Sequence, residues 1–418
     1  MLLAMALATS LASGLTPSLE QAPTTSPSAS TTRPAQALTL AEALARARAR
    51  SPLIEAARTR QRASVLARSA VPWLPNPVIE LRGENYGPAA GLLQRDVFAT
   101  VSQPVEIGGD RRARVADAGA MAGLADAELH SAERMAAVDV VERYVGALRA
   151  RDVMSTLVEQ REGVAELVAT LGARVREGVS AEADLRKFET EHTRLASQVT
   201  RASIALQSAL QQLAVAIGQE VRAELLEYPI LPTPPAAAPE PDAGIANRAD
   251  VQTAMARLQR AEATLSLERA RRIPDLAVTA GYKRTAGADT GVVGVTMGVP
   301  LFDRNRVGVA HATGSVSAAR LDLQYVRQQA AADVRTRWAA ARELGEQAAR
   351  IDRDLVEPAG VVRAAARSAF VEGRGDVLQL VDAERVYGDA TREALELRLD
   401  AALAIIHARL AIGDSPLP

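Results

Sequence analysis

Hydrophobic and polar positions along this chain change rhythm in the same order twice. Helical spacing begins at Leu38, where Thr39-Leu40-Ala41-Glu42 reads as a capping box with Thr39 as N-cap and Glu42 reaching back. The spacing predicts a helix to about Ser69, ended by Pro72, Pro75 and Pro77, which cannot continue one. Period two takes over in residues 78–86 and 94–105, where Val97, Ala99, Val101 and Val105 alternate with Phe98, Thr100 and Ser102. One apolar face and one small or polar face describe a half-buried strand. Residues 111–176 then contain no proline. Val138, Val141, Val145 and Leu148, and again Val164, Leu167, Leu171 and Val175, fall at three- and four-residue steps. That is a coiled-coil-like seam on a helix about 100 Å long. Gly178 marks a turn, and a return helix is expected over 181–217.

The second half restates this plan: a helix over 245–272, a hairpin over 274–301, a long helix over 304–371 interrupted only by Pro358, and a return over 376–412. In its strands Leu276, Val278, Ala280 and Tyr282 alternate with Ala277, Thr279 and Gly281. Val293, Val295, Met297, Val299 and Leu301 alternate with Gly294, Thr296 and Gly298. Val101 to Arg112 is echoed by Val295 to Arg306, Glu177-Gly178 by Glu372-Gly373, and Ala216-Ile217-Gly218 by Ala411-Ile412-Gly413, 194 to 195 residues apart. A repeat that long is a duplicated subdomain, far above solenoid periods. Residues 38–218 and 245–413 are therefore two repeats joined by a proline-rich linker over 219–244, with a short tail over 414–418. In each repeat the leading helix (about 45 Å) and return helix (about 55 Å) together match the long helix beside which they can stack.

Each strand has the 9–11 residues that cross a tilted bilayer path. Aromatic residues make up only 3% of the chain, yet Trp73, Tyr86, Phe98, Tyr282 and Phe302 all lie in or beside the hairpins, as membrane-interface aromatics do. Four such strands alone would read as a soluble sheet; the surrounding sequence is what shifts the reading. Four cannot close a barrel, and an open edge is not tolerated in lipid, so spanning strands would require oligomerisation. Two chains supply eight strands and three supply twelve.

Composition narrows the function classes. The 418 residues are 48% hydrophobic with a formal charge of -1, so nothing pulls the chain toward nucleic acid. No cysteine is present, which excludes disulfides, thiolate metal sites and a cysteine nucleophile. His130, His192, His311 and His407 are far apart and form no metal-binding pair, and no P-loop, nucleophile elbow or dinucleotide fingerprint occurs. No enzymatic activity, cofactor or bound metal is expected. Residues 1–15 read as a secretory signal lacking a basic n-region, and 16–37 as a Pro/Ser/Thr-rich tether.

With hairpins, long helices and glycine-marked tips in place, residues 38–413 resemble the outer-membrane efflux proteins, the TolC-type channels. The most specific segments are Gln103-Pro104-Val105-Glu106-Ile107-Gly108-Gly109-Asp110-Arg111-Arg112 and Val299-Pro300-Leu301-Phe302-Asp303-Arg304-Asn305-Arg306, which look most like the CzcC-type heavy-metal branch. The resemblance implies a mainly α fold with a β membrane part. Each chain would hold an internally duplicated long helical coiled coil and four transmembrane strands, and a homotrimer would form a twelve-stranded barrel in outer-membrane lipid. It further implies docking to a periplasmic adaptor (membrane fusion) protein and an inner-membrane RND-type pump. Glu177, Gly178, Val179, Ser180, Gly373, Arg374 and Gly375 become candidate adaptor contacts.

Asp382-Ala383 matches the family's aspartate–alanine step at the pore constriction, making Asp382, Asp376 and Gln379 constriction candidates. Gln379 stands where some members carry a second aspartate. Asp376 equally suits the cap of the return helix. The Asp110-Arg111-Arg112 and Asp303-Arg304-Asn305-Arg306 clusters read as N-caps with a solvated charged rim. The function expected from the resemblance is the outer-membrane exit duct of a tripartite efflux system exporting heavy-metal cations, with drugs or secreted products as the alternative cargo, and a soluble periplasmic helical scaffold or adaptor is the rival from another class.

Overall fold

Residues 37–84, 96–229, 244–285 and 287–413 are described by the computed structural model. The signal, nearly all of the tether, Tyr86, most of the linker and the tail lie outside them.

The first helical stretch divides. Helix α1 (Leu40–Arg50) is capped by Thr39, whose Oγ1 accepts the Glu42 N–H at 3.2 Å. Glu42 does not reach back; its carboxylate pairs with Arg46 at 3.7 Å, so the expected capping box is half made. Helix α2 (Pro52–Ser69) begins anew at a proline that the expected single helix over 40–69 ignored. Pro52 has no N–H for the Arg48 carbonyl and its ring crowds it. That carbonyl instead accepts from the Arg58 guanidinium at 3.2 Å.

Strands β1 (Val78–Glu84) and β2 (Asp96–Val105) precede α3 (Asp110–Arg176), a single 67-residue helix. The return is α4 (Glu182–Ile217). The second repeat gives α5 (Ala249–Ala270), β3 (Leu276–Thr285), β4 (Ala288–Met297) and α6 (Arg306–Ala348). A π turn (Asp352–Val356), α7 (Glu357–Val371) and α8 (Val377–Ala411) complete it. The expected interruption at Pro358 therefore sits upstream of the proline. Pro358 occupies the first turn of α7, where a missing N–H is harmless, and the ladder bulges just before it. The charged clusters do not supply side-chain N-caps. Gly109 and Asn305 hold those positions in left-handed conformations, while Asp303 accepts the Asn305 N–H at 2.8 Å.

Helix α3 is the spine: α1, α2, α4, α5 and α8 all pack on it, while α6 packs on α5 and α8. At its middle, Val140, Val141, Tyr144 and Leu148 form one core with Leu40 and Ala43 of α1 and Leu213 and Ile217 of α4. The leading and return helices thus meet end to end beside α3, as their lengths require. The Tyr144 hydroxyl lies 2.6 Å from the carbonyls of both Leu38 and Glu227 and accepts the Glu227 N–H at 3.1 Å. It straps the start of the first repeat and the inter-repeat connection to the spine.

The four strands form one antiparallel sheet in the order β1-β2-β3-β4, with all four helix–strand junctions at one end. Register aligns Ile79, Val101, Ala280 and Val293 in one row and Leu81, Ala99, Tyr282 and Gly291 in the next on the same face. The opposite face carries Glu80, Thr100, Gly281 and Val292, then Arg82, Phe98, Lys283 and Thr290. The alternation is as expected from sequence, but the apolar face is bare: Val293 is 84% exposed, Leu81 78% and Ile79 70%. Fully burying each such side chain is worth about 1.5–3 kcal/mol, which this sheet does not collect alone.

Candidate functional site

The two hairpin tips opposite the sheet share one construction. At the first, Gly178 takes φ 74°, its N–H bonds the Val175 carbonyl at 3.0 Å, and the Val179 N–H bonds Arg174 at 2.9 Å. At the second, Gly373 takes φ 75°, its N–H bonds Phe370 at 3.1 Å, and the Arg374 N–H bonds Ala369 at 2.9 Å. This is a Schellman ending, in which glycine supplies the left-handed residue and the last carbonyls are satisfied. Glu177, Val179, Glu372 and Arg374 stand exposed around these turns, and Ser180 and Gly375 are half-buried.

The chain then enters α8 under firmer control than α4. Asp376 accepts the Leu378 N–H at 3.0 Å as a true N-cap, whereas Ala181 before α4 has no capping side chain. Gly375 is required by space: a Cβ there would lie 2.7 Å from the Phe370 nitrogen and 2.9 Å from the Ala369 carbonyl carbon. Asp376, Gln379 and Asp382 are all exposed at three-residue spacing, so they line adjacent turns of one face of α8. Behind them Val377, Leu380 and Val381 pack with Leu157, Val164, Leu171, Phe188 and Leu195 into a lower core. Three polar side chains are thereby held on a rigid, well-packed helix start.

Two ties next to this face were not read from the sequence. Glu191 of α4 is 3% exposed and receives Arg194 at 3.0 Å and Arg385 of α8 through Nε at 2.9 Å. Burial pushes its carboxyl up, but the hydrogen bonds from Arg194 and Arg385 prevail and hold it below the ordinary glutamate range. Arg174 of α3 donates to the Phe370 and Val371 carbonyls, each at 3.0 Å, and lies 4.8 Å from the Phe370 ring centroid. The i,i+3 spacing of Glu191 and Arg194 could have suggested one ion pair. Nothing in the sequence points to Arg385 or to Arg174's reach across repeats.

The expected interface aromatics divide by position. Trp73 (70% exposed) and Phe302 (99%) flank the helix–strand junctions, and Tyr282 lies on the apolar face toward the hairpin end. Phe98 does not join them. It sits on the polar face, with the Arg82 guanidinium and the Lys283 ammonium each 4.8 Å from its ring centroid. Among the described residues no helix is long and apolar enough to cross a membrane, and no group of three or more His, Cys, Asp or Glu is placed to hold a metal.

Comparison with known proteins places this arrangement. Residues 241–414 match the family model for the outer membrane efflux protein. The chain is 31% identical over 270 residues to the nickel and cobalt resistance protein CnrC of Cupriavidus metallidurans, covering 63% of this chain and 64% of that protein, slightly under two thirds of its length. In three dimensions it is similar to the outer membrane protein VceC of Vibrio cholerae (TM-score 0.74, 18% identity, 90% of this chain and 96% of that one). It is also similar to the MtrE outer membrane channel of Neisseria gonorrhoeae (TM-score 0.75, 18% identity, 90% and 89%). The fold is that of the TolC-like outer membrane channels.

Proposed function

We propose that this chain, whose second repeat matches the family model for the outer membrane efflux protein, is the outer-membrane exit duct of a tripartite efflux system. Three copies join their sheets edge to edge into a twelve-stranded barrel, and their helices enclose a tunnel that reaches into the periplasm. The observation that carries this reading is the sheet itself: an apolar face open to the outside, strands β2 to β4 each of 10 residues, and two unpaired edges. Only closure with further copies removes those edges in lipid.

The tips carrying Glu177 to Ser180 and Gly373 to Gly375 receive a periplasmic adaptor, which links the duct to an inner-membrane RND-type pump. Asp382, with Gln379 and Asp376 on the same face, rings the narrow end of the tunnel. A three-fold ring of carboxylates favours cations over anions, which agrees with heavy-metal cations as cargo, as does the likeness to a nickel and cobalt resistance protein. The chain supplies no catalytic step; energy and cargo choice come from the pump.

The test has two arms. Extraction should require detergent and yield a heat-labile trimer that conducts ions in planar bilayers; a stable, amphiphile-free monomer would end the duct reading. Deleting the protein should lower survival on nickel, cobalt, zinc or cadmium. If tolerance to dyes alone falls, the duct stands and the metal cargo does not.

A further inference from the structure

We infer that the strand–helix junctions form a cationic collar that binds phosphate headgroups of anionic phospholipid in the adjacent leaflet. This rests on the membrane-spanning reading above and adds a lipid partner to it.

All four junctions lie at one end of the sheet. Within about ten residues of the strand ends stand Arg68, Arg111, Arg112, Arg269, Arg272 and Arg306, all exposed. Among the described residues none of these six has an ion pair or hydrogen bond from its guanidinium. The acids around them are mostly engaged elsewhere. Glu106 holds Arg114 at 3.0 Å, Glu268 holds Arg271 at 2.7 Å and the Asn305 amide at 2.6 Å, and Asp110 is buried. Asp275 and Glu80 are exposed and unengaged, and Asp303 accepts only the Asn305 N–H. At the opposite end of the molecule the cations are answered within the chain. Between residues 161–194 and 363–392 every lysine and arginine has a carboxylate, a carbonyl or a ring as partner, among them Arg174, Arg194, Arg367 and Arg385. Exposed guanidinium groups without a partner also occur along the helices, at Arg201, Arg222, Arg327 and Arg335 among others, but at the junctions six of them gather at one level beside the bare apolar face.

Unpaired guanidinium groups gathered at one level repel each other, so a counter-charge from outside stabilises them. Their chemistry says which. A guanidinium presents a planar fork that matches phosphate oxygens two at a time. Trp73, Leu301 and Phe302 stand exposed at the same level, with apolar and aromatic surface suited to the boundary between headgroups and acyl chains. The bare apolar face of the sheet continues directly from this belt. Arginines, aromatic side chains and the apolar face therefore follow the order headgroup, interface and hydrocarbon.

The experiment reconstitutes the full chain into vesicles of phosphatidylcholine with or without phosphatidylglycerol, then measures by native mass spectrometry which lipid stays bound after mild extraction. The unaltered chain should retain phosphatidylglycerol preferentially. Replacing Arg111, Arg112, Arg269 and Arg306 together by Gln should lower that enrichment about fivefold or more. The same four changed to Lys should keep much of it, and high salt should weaken it in the unaltered chain, since exposed charges are screened. Enrichment that survives the four Gln substitutions, or that ignores salt, overturns the collar while leaving the duct intact. A chain that enters neither vesicle overturns the membrane reading itself.

Discussion

Over the same stretch of their repeats, α3 runs 67 residues without a break and its counterpart divides into α6, a π turn and α7. The unbroken helix is the one on which five others pack; the π turn buries none of its own residues. The tips differ in the opposite sense. The second repeat fastens its return with Asp376 and a space-demanding Gly375, where the first has Ala181 and Ser180. One repeat therefore supplies the fixed frame. The other combines a yielding middle with a tightly built end, where the pore-lining candidates stand. Segments with few buried contacts are where local opening is cheapest.

The tie between the repeats is the most sensitive point. Glu191→Ala should cost about 2–3 kcal/mol, because a buried carboxylate receiving two guanidinium groups is lost while Arg194 and Arg385 retain access to water. A double-mutant cycle with Arg385→Ala, read by thermal unfolding, should show strong coupling; additive effects would mean the two repeats are not joined here. Glu191 is held below the ordinary value of 4.5, so its contribution is fully present above that value and is lost as pH falls through the lower folded value. Hydrogen exchange across α4 and the start of α8 should therefore rise as pH falls below 4.5.

Next in size is Gly375→Ser, which gives the second tip the first tip's residue. Crowding against the Phe370 nitrogen should cost about 2 kcal/mol, while Ser180→Gly should cost under about 1 kcal/mol. Equal effects in calorimetry would remove the asymmetry claimed for the tips. Exchanging the caps should give smaller, opposite changes: Asp376→Ala loses about 1 kcal/mol and Ala181→Asp gains up to about 1 kcal/mol. Pro358→Ala should have the least effect on stability, no more than about 1 kcal/mol. Its signature is conformational, since α6 and α7 should fuse and hydrogen exchange at residues 352–356 should be slower than in the unaltered chain.

Much of this plan is legible without coordinates. Strict period two over Val97 to Val105 and Leu276 to Tyr282 fixes which side chains share a face, and proline-free helical spacing finds α3 almost to the residue. The errors have local causes. Pro52 passes unnoticed because apolar spacing continues through it and a proline is welcome in the first turn of a new helix. Residue type alone groups Phe98 with the interface aromatics, although its place in the alternation puts it with Thr100 and Ser102. Asp376 is legible as a cap. Its neighbourhood is not, because Glu191 meets Arg385 across 194 residues of chain.

Tyr144 lies almost at the centre of α3, with 34 residues above it and 32 below, and there its hydroxyl secures both Leu38 and Glu227. The spine reaches about 50 Å to either side of that strap, and its lower arm is held in turn by the core of Leu157, Val164 and Leu171 with Phe188 and Leu380. The start of the first repeat and the connection between the repeats are thereby registered on one point of a rod that is gripped along its length.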